Sequence, residues 1–297
     1  MEYTFSKNIK YGYFEVENKP SEGELNDYYS EKYFQNNPAK NNPYQEDYSQ
    51  KKMDFINSKI ANKYELIRQN ISSKTITSFI DIGCGEGFAL SFFAKKGIKP
   101  FGIDYSDFGI KNQNPDQLPN FRQGNLLNVA NELIADGKTF DLLWVDNVLE
   151  HVIDPEDLVQ KCYQLCAPNG FIIFEVPNDF SKYQDFLIKE ELIKSHHWQI
   201  TPDHLNYFSP ETLTSLCENY GFELKSQMTD FPIELFLLNE NSNYYKTRSN
   251  GEQAHKSRLL FEKYIKTVNT DAQIVKLYQV LLESGIGRQI IGLYQKK

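Results

Sequence analysis

Hydrophobic residues recur along this chain at two different periods, and the change from one period to the other predicts helices and strands. Met53, Ile56, Ile60, Tyr64 and Ile67 lie three or four residues apart, which is typical of a long amphipathic helix. Short runs rich in β-branched and aromatic residues predict strands at 11–16, 76–82, 120–125, 140–147, 171–176, 222–228 and 288–294. Because helical patterns separate several of these runs, the chain is predicted to be an α/β protein.

The strand at 76–82 ends in a turn that is rich in glycine. Gly83, Gly85 and Gly87 stand at alternate positions, and an apolar helical pattern begins at Phe88. Glycine allows the backbone to turn sharply and to approach a ligand closely. The dinucleotide fingerprint G-x-G-x-x-G would place its third glycine at position 88, where this chain has Phe88. The turn therefore differs in spacing from a dinucleotide-binding turn.

Two carboxylates flank this turn. Asp104 ends the next predicted strand, about twenty residues after the first glycine, and its carboxylate can accept hydrogen bonds from two ribose hydroxyls. Asp81 precedes Gly83 by two positions, where it would repel a pyrophosphate but attract an ammonium group. The turn therefore predicts a nucleoside ligand that carries an amino acid.

The segment Asp81-Ile-Gly-Cys-Gly-Glu-Gly87, together with Asp104, resembles the first motif of the class I S-adenosylmethionine-dependent methyltransferases. The resemblance implies a Rossmann-like sheet of seven mostly parallel strands, with an antiparallel last strand and helices on both faces. It also implies S-adenosylmethionine as the cofactor. Binding of NAD or FAD, and a tight turn that binds no ligand, are the alternatives.

The resemblance also assigns roles beyond the first motif. Asn125 would bond the Watson–Crick edge of the adenine, and Leu126 would line the base pocket. Asp146 and Asn147 would lie beside the methionine portion or the methyl group of the cofactor. The predicted cofactor-binding residues are Asp81, Gly83, Cys84, Gly85, Gly87, Asp104, Tyr105, Asn125, Leu126, Asp146 and Asn147.

Composition narrows the class of partner. The chain has 297 residues, 40% of them hydrophobic, and a formal net charge of −8, which argues against a protein that coats nucleic acid. No apolar run reaches the roughly 18 residues of a membrane span. Four cysteines are few for this length, and they favour a cytoplasmic protein without disulfides.

We predict three regions: an N-terminal cap at 1–72, a methyltransferase core at 73–230 and 285–297, and a helical insertion at 231–284. The cap would include a helix that starts at the capping box Ser21-Glu-Gly-Glu24. Its tyrosines either pack internally or face the ligand cleft, the candidates being Tyr28, Tyr33, Tyr44 and Tyr48. The insertion helices carry apolar faces that could shape the acceptor site or form a homodimer contact, namely Leu260, Tyr264 and Val268, then Ile274, Leu277, Tyr278 and Leu281.

Three of the five histidines, His196, His197 and His204, fall within nine residues. A histidine at its ordinary pKa can take the proton of a hydroxyl as a methyl group arrives. The segment 202–213 resembles the segment after strand five in bacterial methyltransferases that act on sugars and surface-glycan precursors. We therefore predict O-methylation of such a small-molecule acceptor in polysaccharide biosynthesis, with His204 as the first candidate base and a hydrogen bond from loop to core as the other interpretation of His204.

Three alternatives remain open at this stage. The acceptor could be a nitrogen or carbon atom of a small metabolite, or the chain could be a non-catalytic subunit that binds S-adenosylmethionine. A metal ion is the third, because Glu150-His151 resembles a segment of the ubiquinone-pathway O-methyltransferases that binds metal together with a glutamate at the position of Asn147. An amide is a poor substitute for that carboxylate, so we predict no metal and interpret Glu150 and His151 as the start of a helix.

Overall fold

The computed structural model describes residues 3–21, 23–25, 50–71, 75–196 and 198–297. The strands are β1 (Phe5–Lys7), β2 (Phe14–Val16), β3 (Ser78–Ile82), β4 (Lys99–Asp104), β5 (Phe121–Gln123), β6 (Phe140–Asp146), β7 (Cys166–Pro177), β8 (Asn206–Tyr207), β9 (Phe222–Met228) and β10 (Gln289–Lys296). The helices are α1 (Gln50–Asn70), α2 (Phe88–Ala94), α3 (Phe108–Gln113), α4 (Leu126–Ala135), α5 (Pro155–Leu165), α6 (Lys182–Lys189), α7 (Pro210–Asn219), α8 (Asn250–Val268) and α9 (Asp271–Glu283).

Seven strands form the main sheet in the order β5-β4-β3-β6-β7-β10-β9. The strands β5, β4, β3, β6 and β7 pair in parallel, whereas β10 runs antiparallel to both β7 and β9. The order reverses between β3 and β6, and ligands of open α/β sheets bind at such a switch point, outside the carboxyl ends of the strands. The predicted fold class, including the antiparallel last strand, is confirmed.

Adjacent side chains of the central strands enter two different hydrophobic cores, because side chains alternate between the faces of a sheet. Ile80 and Leu143 belong to the core under α4, α5 and α7. Phe79 and Trp144 belong to the core under α1, α2 and α9, where the ring of Phe79 stacks on that of Phe93 at 4.1 Å between centroids. Helices therefore cover both faces of the sheet and leave the carboxyl edge of the strands to loops.

A second, three-stranded sheet was not predicted from the sequence. Its order is β1-β2-β8, and the predicted strand at 11–16 contributes only β2. Within this sheet Phe14 pairs with Tyr207 and Glu15 pairs with Asn206. The N-terminal segment is thereby attached to the chain directly after His204.

The insertion forms two helices, as predicted, but their apolar faces differ in burial. Helix α9 packs against α1 and β9, and it buries Ile274 and Tyr278. Helix α8 instead exposes Leu260 and Tyr264, and Val268 is also more than half exposed. The stripe on α8 is therefore a solvent-exposed surface in this single chain, and the homodimer contact stays a prediction.

The remaining predictions about helix and strand boundaries have mixed outcomes. The capping box of Ser21 and Glu24 is confirmed, since Glu24 N donates to Ser21 Oγ at 3.3 Å and Ser21 N donates to Glu24 Oε2 at 2.9 Å. The predicted ligand-facing tyrosines lie outside the described residues, namely Tyr28, Tyr33, Tyr44 and Tyr48. The fifth strand of the core, β7, begins at Cys166 rather than at residue 171. Within the described ranges, no helix is both long enough and apolar enough to cross a membrane.

Helix α9 begins at a capping box, and the contribution of this box to stability can be tested. Thr270 Oγ1 accepts a hydrogen bond from Gln273 N at 3.3 Å, and Thr270 N donates to Gln273 Oε1 at 2.9 Å. We expect Thr270→Ala to lower the free energy of unfolding by about 1 kcal/mol, because a helix amide loses its acceptor. Thr270→Ser retains the hydroxyl and should unfold like the wild type in urea titrations; equal losses in both variants would contradict the capping role.

Candidate cofactor and acceptor site

The glycine turn joins β3 to α2 in a backbone conformation that side chains disfavour. Gly83, Gly85 and Gly87 have φ values of 84°, 50° and 73°. A Cβ atom on Gly83 would lie 2.4 Å from Val148 Cγ2, whereas one on Gly85 would have no heavy atom within 4 Å. Gly83 therefore allows close packing against Val148, and the backbone at Gly85 borders open space that a ligand can enter.

Asp104 closes the turn from the end of β4. Its Oδ2 accepts a hydrogen bond from Gly85 N at 2.9 Å, and its Oδ1 accepts one from Ser106 N at 3.1 Å. Burial raises the pKa of Asp104, and the hydrogen bonds from the two amides oppose that effect. Because each carboxylate oxygen has more than one lone pair, both oxygens retain capacity for the hydroxyls of a ribose.

Other residues of the predicted cofactor set have side-chain roles within the fold. Cys84 and Leu126 are buried in the two hydrophobic cores, so they can reach a ligand chiefly through their backbone. Asn125 caps α4, since its Oδ1 accepts from Leu127 N and Asn128 N, each at 3.1 Å. Its Nδ2 donates to the hydroxyl of Tyr105 at 3.1 Å. The adenine contact of Asn125 stays a prediction.

Carboxylates converge where β3, β6 and β7 end. Asp81 is 4% exposed, and burial and the nearby Asp146 raise its pKa well above the usual range. Asp81 Oδ1 makes no hydrogen bond to any described residue. Asp146 Oδ1 accepts from Asn147 Nδ2 at 2.7 Å, and Asn147 adopts a positive φ of 53° at this edge. The predicted contacts of Asp81, Asp146 and Asn147 with the methionine portion of the cofactor stay predictions.

Two lysines of α1 balance this negative charge, and the sequence analysis missed both. Lys63 Nζ forms ion pairs with Asp146 and with Glu175, and Lys59 Nζ lies 3.2 Å from Glu175 Oε1. Burial alone would raise the pKa of Glu175, but Lys59 and Lys63 outweigh it and lower that pKa to about 2. A signal was present, because Lys63 interrupts the apolar face of α1 between Ile60 and Ile67.

A second group of polar side chains lies in the loop after β6. Glu150, His151 and His204 bring one donor atom each within 4.8 Å of the others, and the rings of His151 and His204 meet edge to face at 4.9 Å. Neither Oε1 nor Oε2 of Glu150 makes a hydrogen bond to a described residue, and burial raises the pKa of Glu150 well above its usual range. His151 Nδ1 lies 2.6 Å from the carbonyl oxygen of Asp203.

Glu150 and His151 do not begin a helix, so that part of the prediction is wrong. They lie in a turn, and α5 begins only at Pro155. Asp154 fixes this start, because its side chain caps the helix by accepting from Asp157 N at 3.1 Å. The helix dipole therefore does not account for the burial of Glu150.

The turn that contains Glu150 and the loop that contains His204 are held together by backbone bonds. Leu205 N and Asn206 N both donate to the carbonyl oxygen of Glu150, at 2.8 and 3.1 Å. Asn206 Nδ2 donates to Val152 O at 2.7 Å, and its Oδ1 accepts from Lys19 Nζ at 3.1 Å. The sequence analysis missed Asn206 and Lys19, which fix the two loops through contacts between distant parts of the chain.

The three predicted histidines do not form one group. His204 faces His151, whereas His196 lies against Phe180 and Trp198 at 4.7 and 5.9 Å between ring centroids. Partial burial lowers the pKa of His196, although its Nε2 lies 3.8 Å from Asp185 Oδ1. His197 lies outside the described residues. Of the two predicted histidines that the structure describes, His204 belongs to the group with Glu150 and His151.

The donor set of this group also suits a divalent metal ion. One carboxylate and two imidazoles are ordinary ligands for zinc and similar ions, and the unsatisfied oxygens of Glu150 are consistent with a bound cation. Glu150, His151 and His204 would hold it, and such an ion would make an acceptor hydroxyl more acidic. The set differs from the one that the resemblance implied, because His204 joins it while Asn147 offers an amide.

Comparisons with known proteins agree with this geometry. The family model described as a methyltransferase domain matches residues 44–227. The chain is 28% identical over 169 residues to the ubiquinone biosynthesis O-methyltransferase of Coxiella burnetii, covering 54% of this chain and 70% of that protein. It is 30% identical over 187 residues to the protein of the same name from Colwellia psychrerythraea, covering 58% and 71%.

The fold is also found among solved structures. A SAM-dependent methyltransferase from Archaeoglobus fulgidus aligns with a TM-score of 0.52 at 18% identity. The alignment covers 82% of this chain and 94% of that chain. At this identity the likeness concerns the fold.

The position of Asp104 predicts how much cofactor binding depends on it. We expect Asp104→Ala to weaken the binding of S-adenosylmethionine by about ten-fold or more, because a charged acceptor of ribose hydrogen bonds is lost. Asp107→Ala is a matched control, since Asp107 pairs at the surface with Lys111. Isothermal titration calorimetry on both variants measures the effect, and equal affinities would contradict the assigned role.

Proposed function

The chain belongs to the class I S-adenosylmethionine-dependent methyltransferases, and we propose that it transfers the methyl group of that cofactor to a hydroxyl of a small molecule. The chain is therefore an enzyme, and the glycine turn with Asp104 is the proposed cofactor site. The proposal of an oxygen acceptor rests on one observation, the group formed by Glu150, His151 and His204 at the carboxyl edge of the sheet. The O-methyltransferase names of the relatives support the same acceptor atom.

Methyl transfer requires little covalent assistance from the protein. The acceptor oxygen must lie in line with the sulfonium carbon, and positioning of the two reactants supplies much of the rate. An alcohol must in addition lose its proton during the transfer, so a base within hydrogen-bond reach accelerates the reaction. We assign this role to His204, with His151 held beside it by the carbonyl of Asp203. His196 and His197 are proposed as weaker candidates for acceptor contact.

For the acceptor we propose a sugar or a surface-glycan precursor. The support is the segment 202–213, which resembles that of sugar methyltransferases, and the polar character of Glu150, His151 and His204. A second candidate is an aromatic hydroxyl, which the names of the ubiquinone-pathway relatives favour. The ring of Tyr207 lies 6.3 Å from that of His204 and 5.7 Å from that of Phe180, so aromatic side chains border this group.

The acceptor class can be tested directly. The purified chain is incubated with S-adenosylmethionine that carries a deuterated methyl group. Each incubation also contains one class of acceptor, namely a panel of sugar nucleotides, a catechol or a primary amine. The proposal expects S-adenosylhomocysteine and a labelled sugar hydroxyl. Label on the catechol alone would establish the aromatic candidate, and label on the amine alone would contradict the oxygen acceptor.

For the base, we expect His204→Ala to lower kcat by roughly a hundred-fold or more while the affinity for S-adenosylmethionine changes little, because proton transfer is affected and cofactor binding is not. His255→Ala is the matched control, since His255 lies on α8 beside Phe55. Steady-state kinetics and calorimetry on both variants measure this. An unchanged kcat in His204→Ala would favour a nitrogen or carbon acceptor.

The same assay separates a base from a metal ligand. If His204 acts as a base, turnover should persist after treatment of the enzyme with EDTA. Loss of turnover with EDTA and recovery with a divalent ion would instead identify Glu150, His151 and His204 as a metal site.

A further inference from the structure

Lys63 is a buried lysine of helix α1 whose ammonium group lies at the carboxyl edge of the main sheet, where the cofactor site is proposed. The residue is 1% exposed, and its ammonium group pairs with Asp146 at the end of β6 and with Glu175 on β7. The ammonium group also lies 4.8 Å from the centroid of the Trp144 ring. Burial of a charge is costly unless partners compensate it, so this arrangement depends on both carboxylates.

The two partners of Lys63 differ in exposure. The side chain of Glu175 is fully buried, and it also pairs with Lys59. The side chain of Asp146 is 29% exposed, and apart from Lys63 its hydrogen-bond partner in the described chain is Asn147. Glu175 thus retains one cation if Lys63 is removed, whereas Asp146 loses its cation. Lys63 is therefore of most consequence for Asp146, which borders the ligand cleft.

We propose that Lys63 is a positioning residue for the cofactor, because it holds the carboxylate of Asp146 in place beside the methionine portion. This inference rests on the cofactor site proposed above. The step from Lys63 to the ligand is indirect: Lys63 contacts Asp146, and Asp146 would contact the ammonium group or the sulfonium. Helix α1, which carries Lys63, is thereby part of the cofactor site although it lies before the glycine turn in sequence.

A purely structural ion pair would give a different result from this proposal. We expect Lys63→Met to weaken the binding of S-adenosylmethionine by about ten-fold or more, measured by calorimetry without acceptor. Lys59→Met is the matched control, since Lys59 is a lysine of the same helix that contacts Glu175 and not Asp146. Its affinity for the cofactor should stay within about two-fold of wild type even if its thermal stability falls.

The second arm of the experiment removes the carboxylate of Asp146, which loses its cation in Lys63→Met. Asp146→Asn in the Lys63→Met background should recover part of the thermal stability, because the repulsion between Asp146, Glu175 and Asp81 is reduced. Cofactor binding should remain weak, because the positioned carboxylate is gone. If Lys63→Met does not fold, Lys63→Gln takes its place, since its shorter and uncharged side chain also removes the cation beside Asp146 and the same loss of cofactor affinity is expected.

Two results would overturn the proposal. One is a loss of cofactor affinity in Lys59→Met equal to that in Lys63→Met. The other is tighter binding in Lys63→Met, which is expected if only the net negative charge near the sulfonium mattered. Neither of these results depends on the acceptor, so the proposed O-methylation can fail or hold independently.

Discussion

The burial of carboxylates along one edge of the main sheet is the constraint on which the rest of this structure depends. Asp81, Glu150 and Glu175 are buried at or near the carboxyl ends of β3, β6 and β7, and the partly buried Asp104 and Asp146 lie at the ends of β4 and β6. An uncompensated buried charge would cost several kcal/mol, which is comparable to the whole stability of a domain. Each of these carboxylates must therefore be stabilised by a proton, by a backbone amide or by a cation. Which of the three applies differs from one carboxylate to the next.

The carboxylates of this edge differ in what stabilises them. Backbone amides of Gly85 and Ser106 donate hydrogen bonds to Asp104 and hold its carboxylate beside the glycine turn. Lysines of α1 stabilise Glu175 and Asp146. Asp81 Oδ1 and both oxygens of Glu150 have no hydrogen-bond partner in the described chain, and burial raises the pKa of each residue. A bound hydrogen-bond donor would therefore be favourable at both places, one of them in the proposed cofactor site and the other in the proposed acceptor site.

The features that could be predicted from the sequence are those that a short run of consecutive residues determines. The glycine turn and its flanking strands are specified within about thirty consecutive residues, and so is the Asp104 position. The seven-stranded, mostly parallel sheet with its antiparallel last strand followed from the family resemblance and agrees with the structure. Lys63 could be located on α1 from periodicity, but its partners lie on β6 and β7, more than eighty residues away. A single sequence contains no pattern that pairs them, because ion pairs between distant segments follow from the packing of the whole domain.

The same reasoning explains why the contacts around His204 could not be predicted from the sequence. His204 is brought to His151 by a turn, a loop and the small sheet, and the small sheet depends on β2 at the start of the chain. Lys19 adds bonds to Ile153 O and to Asn206, so a residue near the N-terminus joins both loops. The glycine turn and Asp104 thus belong to one contiguous βαβ unit, whereas the proposed acceptor site is assembled from three separate segments. Changes in β2 or Lys19 can therefore alter acceptor geometry while the glycine turn stays intact, which allows acceptor specificity to vary over a constant cofactor site.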